Sequence, residues 1–407
     1  MDRRCRFCRA PLSRTFVNLN SSPLANSLLD AESCNGMEPR YPLHAFVCEQ
    51  CFLVQLDAVV TPEHIFGDYV YFSSYSESWL AHCRDYSRKM IGRFGLSKES
   101  RVVEVASNDG YLLRNFVEAG IPVLGVEPAA NVAKVAEAAG VPTRVVFFGA
   151  ASAAALKAEG FAADLMCANN VLAHVPDIND FVEGFRILLK PQGVATFEFP
   201  HLLNLMQQNQ FDTIYHEHFS YISLLAAERI FAAHGLAVID VEELATHGGS
   251  LRLYVTHKGA RPEGEAVGKL RAKEAAARLD AIGTYSSFAS GVVDTKCELL
   301  AFFIEARRAG RQVVGYGAPA KGNTLLNYCG IGPELMPYTV DISPHKQGKF
   351  LPGTRIPIRH PQAIFETKPD YVLILPWNLK DEITRQMAGV SAFGAKFVTA
   401  IPRLRVH

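Results

Sequence analysis

Between residues 101 and 257 the chain alternates short apolar runs, rich in β-branched side chains, with stretches whose apolar positions recur every three or four residues. RVVEVA at 101–106 and VLGVE at 123–127 are the first two runs, and each reads as a buried parallel strand. The loop SNDG at 107–110 leads into YLLRNF at 111–116, which has helical periodicity, and another helix is expected from near Pro128. Residues 163–175 read as a fourth strand and its loop. Residues 194–199, after the turn formers Pro191 and Gly193, read as a fifth. Residues 236–242 and 251–257, joined by His247-Gly248-Gly249, form a plausible antiparallel pair closing the sheet edge. Strand alternating with helix in this way predicts an α/β fold with a central doubly wound sheet.

The pattern changes after residue 258. From 260 to about 310 it is helical, with the acid–base spacing of a solvated face and no implied chemistry. QVVGYGAPAKGNTLLN at 312–327 then reads strand, small-residue loop and helix. Further apolar runs at 338–342, 371–375 and 397–401 predict a second, Rossmann-like α/β unit. A chain of 407 residues exceeds one ordinary core. We divide it into 1–65, 66–258 and 259–407.

Composition narrows the partners. The 41 basic and 41 acidic residues balance, which argues against nucleic acid or an acidic membrane as the main partner. No apolar h-region follows the basic N-terminus, and nowhere do eighteen apolar residues run uninterrupted, so a cytoplasmic protein is expected. A monomer is expected separately. Of nine cysteines, five lie in the first 51 residues, which is not a secreted disulfide framework. Cys5-x2-Cys8 and Cys48-x2-Cys51 are two knuckles able to give four thiolates to one tetrahedral Zn2+. Four cysteines close the shell against water, so the zinc reads as structural, with Cys34 a spare. The tyrosine-rich stretch at 68–76, which contains Tyr69 and Tyr75, could line a ligand or cover the next domain.

The loop at 107–110 is too poor in glycine to wrap a pyrophosphate, whereas Glu127, ending the second strand, can accept both hydroxyl hydrogens of a ribose. A nucleoside with an amino-acid tail fits better than NAD, and we read the cofactor as S-adenosylmethionine (SAM). Glu104 would order the loop, and Ser107, Asn108, Asp109 and Gly110 would contact the methionine part. Pro128 opens the next helix, and Asn169 and Asn170 face the same crevice. Between the fifth strand and the helix before Leu236 lies FDTIYHEHFSY at 211–221, crowded with titratable groups. His-Glu-His lacks the i, i+4 spacing of HExxH, so proton transfer fits better than a metal; a polar surface loop is the bland alternative. The residues alone do not choose between methylation of oxygen and of carbon. The loop after the strand at 312–316 is friendly to phosphate, with Lys321 as a point charge.

Four ordered motifs, Cys5-x2-Cys8, EVASNDG at 104–110, YHEH at 215–218 and GYGAPAKGN at 315–323, make the whole chain resemble the sugar-nucleotide C-methyltransferases of deoxysugar and antibiotic biosynthesis, including those acting at C-3 of dTDP-4-keto deoxysugars. The resemblance implies a zinc-binding N-terminal domain, a SAM domain, and a C-terminal domain that helps hold a dTDP-linked keto sugar, with Tyr75, Gly317, Lys321 and Asn323 on the substrate. It also implies that His218 is the general base beside the C-4 ketone, that Tyr215 and Glu217 steady the enolate or the base, and that His174 and Tyr69 are secondary candidates facing the sugar. An O- or N-methyltransferase, or a zinc-ribbon adaptor on a degenerate SAM fold, are the alternatives.

Overall fold

The computed structural model describes residues 3–57, 60 and 77–407; the expectations for Tyr69 and Tyr75 fall outside them. The chain sorts into two units. One holds Met1–Leu12, Cys48–His201 and Phe219–Asp280, the other Ser13–Val47, Leu202–His218 and Ala281–His407.

In the first unit the apolar runs form a seven-stranded sheet of β1 (Val102–Val105), β2 (Val123–Val126), β3 (Thr143–Arg144), β4 (Ala163–Asn169), β5 (Leu189–Pro200), β6 (Leu236–Leu244) and β7 (Ser250–His257). The order is 3-2-1-4-5-7-6. β1 pairs in parallel with β2 and β4, and β7 pairs antiparallel with β5 and β6. Strand order therefore reverses at β1, the switch point where a doubly wound sheet opens a crevice beyond its carboxyl ends. This is the Rossmann-like core expected of a SAM methyltransferase. The helix Glu77–Phe94 buries Tyr86 and Met90 in a cluster with Val102, Leu112, Phe116, Leu165 and Tyr254, which holds β1 and β4 from behind. Residues 111–113 form turns rather than helix, and the helix itself is Arg114–Glu118. Gly110, at φ 76, has already turned the chain sharply at that point.

The second unit carries a six-stranded sheet of β8 (Val313–Tyr316), β9 (Thr339–Val340), β10 (Ile358–Arg359), β11 (Tyr371–Ile374), β12 (Lys396–Thr399) and β13 (Arg405–Val406), in the order 10-9-8-11-12-13. Its core joins Val314, Tyr316, Tyr338 and Val340 to Ile364, Val372, Ile374 and Ile383. The expected helical stretch from 260 to 310 is three helices, Glu265–Ala276, Ile282–Ser286 and Phe288–Arg308. Arg278 sits between the first two at φ 57, a left-handed conformation that a continuous helix cannot contain. The strands Arg14–Ser22 and Tyr41–Val47 pair antiparallel in this unit, and Phe16 stacks on Phe288 at 4.6 Å. No helix among the described residues is long and apolar enough to cross a membrane.

Candidate active site

The two cysteine knuckles have the same backbone. In the first, the N–H of Cys5 donates to the carbonyl of Ala10 (2.8 Å) and that of Arg9 to Cys5 (3.0 Å); in the second, Cys48 donates to Leu53 (3.0 Å) and Phe52 to Cys48 (2.9 Å). Arg9 and Phe52, each four residues past the first cysteine, are both left-handed, at φ 61 and 62. The sulfurs meet. Cys5 Sγ lies 3.6 Å from Cys51 Sγ, Cys8 Sγ lies 3.5 Å from Cys48 Sγ, and all four are within 4.8 Å of one another. Four thiolates at about 2.3 Å from a tetrahedral zinc stand about 3.8 Å apart, so the donor set fits a structural Zn2+ with a closed shell. Hydrogen bonds among the thiols push Cys5 below its ordinary range and Cys48 and Cys51 above theirs, so one thiol gives up its proton readily and the others would lose theirs to a bound metal. Gln55 Nε2 donates to Cys5 Sγ at 3.2 Å and its Oε1 accepts from Arg6 N at 2.8 Å, so the knuckle is also tied down by a buried amide. Cys34 is not one of the four and lies in the turn Ser33–Asn35 of the second unit.

At the switch point of the first unit, Glu127 organises the loop after β1. One carboxylate oxygen accepts the N–H of Asn108 and the other the N–H of Ala129, each at 2.9 Å. Burial raises the Glu127 pKa, and these two donors oppose the rise. Ala106, Asn108 and Gly110 take φ of 56, 48 and 76, so the loop coils back on itself and Gly110 N donates to Ser107 O at 3.0 Å. Gly125 has a packing reason: a Cβ there would lie 2.5 Å from Ser107 Oγ. Across the crevice, Asn169 ends β4 and Asn170, at φ 53, donates its N–H to Glu198 O at 2.7 Å. The side-chain oxygens of Ser107, Asn169 and Asn170 are buried without a hydrogen-bond partner, the condition a polar ligand would relieve. Burial lifts Glu104 well above its usual pKa, and a hydrogen bond with the Tyr111 hydroxyl works against that rise. These residues fit an adenosyl group with an amino-acid tail. Pro128 is partly exposed beside them, and His174 closes the 3-10 turn Leu172–His174 after β4.

A neighbouring polar cluster went unread in the sequence. Glu198 Oε2, on β5, accepts from Arg252 (2.7 Å) and lies 3.0 Å from His82 Nε2, and Glu198 Oε1 accepts from Thr246 Oγ1 at 3.1 Å. Burial pushes Glu198 up, but the bond from His82 and the charge of Arg252 leave it below its ordinary value. Trp79 stacks on His82 at 5.0 Å and lies 6.0 Å from Tyr111. The signal was present: a lone acid in VATFEFP and a lone arginine in SLRLYV interrupt otherwise apolar strands.

The segment at 215–218 belongs to the second unit. His218 Nδ1 lies 2.8 Å from the carbonyl of Thr213; a carbonyl can only accept, so Nδ1 carries the proton and Nε2 the lone pair of the neutral ring. The Tyr215 ring lies 4.0 Å from that of His218, tilted by 33°. Glu217 turns elsewhere: both its oxygens accept from Asn26 Nδ2, at 2.7 and 2.9 Å, and burial lifts its pKa to about 7. His216 Nε2 donates to Pro42 O at 3.2 Å, and burial lowers its pKa. Gly317 follows β8 at φ 91, where a Cβ would lie 2.5 Å from Pro376 Cδ. Lys321 Nζ donates to Asn378 Oδ1 at 2.8 Å, and Asn323 Nδ2 to Ala25 O at 2.6 Å, its Oδ1 buried and unpartnered. Asn26, Trp377 and Asn378 were not legible as partners of these groups, because nothing local marks them.

Known proteins resemble the chain along its whole length. Residues 5–66 match a family model described as a zinc binding domain, 79–241 one described as a methyltransferase domain, and 245–402 one described as a C-methyltransferase C-terminal domain. The C-methyltransferase NovU of Streptomyces niveus is 37% identical over 403 residues, covering 99% of this chain and 96% of that protein. Among solved structures, the 1,6-didemethyltoxoflavin-N1-methyltransferase of Burkholderia thailandensis aligns at 16% identity and a TM-score of 0.38, covering 51% of this chain and 95% of that one. The magnesium protoporphyrin IX methyltransferase of Synechocystis PCC 6803 aligns at 13% and 0.34, covering 48% and 89%.

Proposed function

This chain belongs to the SAM-dependent C-methyltransferases, and we propose that it methylates C-3, the carbon beside the C-4 ketone, of a dTDP-4-keto-6-deoxysugar, with His218 as the general base. The observation that carries the reading is the 2.8 Å bond from His218 Nδ1 to the Thr213 carbonyl, which fixes the tautomer whose Nε2 can take a proton. His218 Nε2 removes the C-3 proton, and the electrons of that C–H bond pass into the enolate whose charge rests on O-4. Bound SAM would supply an electrophilic methyl on sulfur to that carbon, with S-adenosylhomocysteine as the leaving group. Tyr215, in tilted ring contact with the base, steadies the ring or the enolate oxygen. Glu217, tied down by Asn26, would steady the base or the enolate.

In the same reading Glu104, Ser107, Asn108, Asp109, Gly110, Glu127, Pro128, Asn169 and Asn170 hold SAM in the domain at 66–258. His174 and Tyr69 face the sugar. Tyr75, Gly317, Lys321 and Asn323 serve the nucleotide sugar, the last three from the domain at 259–407, while the domain at 1–65 is held by its zinc. A monomer in the cytoplasm completes the proposal. The test is incubation with SAM and a panel of dTDP-4-keto sugars, with the methyl located by NMR, beside His218→Ala. The variant keeps SAM affinity in calorimetry and stops solvent deuterium exchange at C-3. A methyl on oxygen or nitrogen, or exchange that persists, overturns the reading.

A further inference from the structure

Asp212 is fully buried in the 3-10 turn Phe211–Thr213, one residue before the carbonyl that holds His218. Its Oδ2 accepts from Trp377 Nε1 at 2.7 Å, while Oδ1 is buried with no partner. The same indole presents its face to Lys321, whose Nζ lies 4.7 Å from the ring centre and donates to Asn378 Oδ1 at 2.8 Å. Burial raises Asp212 to about 6, and the positive charge of Lys321 works against that rise; burial in turn lowers Lys321, and Asp212 works against it. Burying a carboxylate this completely is unfavourable, and an apolar residue would fill the turn at lower cost. What the charge adds is direction. It fixes the turn to the Trp377–Leu379 turn, while Thr324 Oγ1, on the helix Ala320–Cys329, donates to Ile214 O at 3.1 Å and fixes the other end. Between these two anchors stands Thr213, and its carbonyl sets the tautomer of His218.

We propose that Asp212 is a positioning residue for the base: with Trp377 and Lys321 it clamps the Phe211–Thr213 turn so that the Thr213 carbonyl holds the His218 ring with Nε2 toward the carbon acid. The inference rests on the reading of His218 as base. It assigns Lys321 a duty toward Asp212 besides any toward substrate. Without the clamp the carbonyl shifts, and the imidazole loses the orientation and tautomer that proton abstraction requires. A misplacement of this kind lowers the rate of the chemical step and leaves ground-state binding intact.

The experiment measures kcat, the KM for the nucleotide sugar, SAM affinity and C-3 deuterium exchange in the full chain for Asp212→Ala, Asp212→Asn, Trp377→Phe and His218→Ala. Asp212→Ala is expected to lose about a hundredfold in kcat and in exchange, with KM and SAM affinity within about threefold. Asp212→Asn keeps an oxygen for the indole N–H and recovers about tenfold of that loss, and Trp377→Phe, which keeps the aromatic face over Lys321, loses about tenfold. These last two keep the proposal testable if Asp212→Ala does not fold. A raised KM with kcat intact overturns it, since Asp212 would then serve substrate binding through Lys321. Wild-type exchange in the Asp212 and Trp377 variants, with exchange abolished in His218→Ala, overturns this proposal alone. Exchange persisting in His218→Ala instead removes the base reading and this proposal with it.

Discussion

The two sheets make the same crossover and finish it differently. In the first unit Glu127, just past β2, accepts the N–H of Asn108 from the loop after β1 and the N–H of Ala129 two residues on. In the second, Asp341, just past β9, accepts the N–H of Ala318 from the loop after β8 (2.8 Å) and the N–H of Ser343 two residues on (2.9 Å). Asp341 has a cation at hand: Lys346 Nζ lies 3.7 Å away and donates to Ala318 O at 2.9 Å. Among the described residues Glu127 has no such ion pair, and around it Ser107, Asn169 and Asn170 keep unsatisfied oxygens. In the second crossover the unsatisfied atom near the loop is on Asn323, one turn into the helix. An acid at a strand end therefore marks the fold in both units. What distinguishes the first crossover is the set of three unsatisfied oxygens around its acid, which a bound cofactor would relieve.

The sharpest way to break this comparison is to remove each acid in turn. Glu127→Ala should weaken SAM binding by at least about a hundredfold, roughly 2.7 kcal/mol, because the loop loses two hydrogen bonds and, on the proposed reading, the ribose its acceptor. Asp341→Asn should leave SAM affinity unchanged. Equal losses in calorimetry would show that affinity follows overall integrity and dissolve the distinction.

A third acid, Glu217, extends the comparison to a carboxyl whose partner is a neutral amide. Its folded pKa of about 7 exceeds the unfolded value, so the native state holds the proton more tightly. The cost of ionising it is absent below about pH 4, grows as pH rises, and is complete above about pH 7, on the order of 3 kcal/mol. Glu217→Gln should therefore match the wild type in Tm near pH 4.5 and exceed it at pH 8; a difference independent of pH would count against the buried neutral form. The smallest effect is expected at Gly317, where alanine must adopt φ 91 and press on Pro376. About 1–2 kcal/mol of stability should be lost in denaturant unfolding with SAM affinity intact. A change in SAM affinity would mean that the two crossovers are not independent.

How much of this was legible varies with the range of the interaction. The runs at 101–106 and 123–127 gave both strands and the acid beyond the second, since strand patterning and strand-end loops are local. The equally local pattern from 260 to 310 shows helix but not where it breaks. Its interruption at Arg278 escaped notice because an arginine carries no sign of a left-handed backbone. Glu104, read as a loop-ordering group, is a buried acid with a raised pKa, and that follows from packing behind β1 that no motif encodes.

By itself the sequence determined the four thiolates, through the spacing of two CxxC pairs, the two strand-helix crossovers, and the titratable character of residues 215–218. Only the tertiary structure decided that Leu202–His218 groups with Ser13–Val47 and Ala281–His407. It also decided that Glu217 meets Asn26, 191 residues away, and Asp212 meets Trp377, 165 residues away. The reason is physical. Periodicity and turn chemistry act over a few residues, whereas a buried carboxyl takes whichever donor the packed chain brings to it, and that donor is set by the fold as a whole.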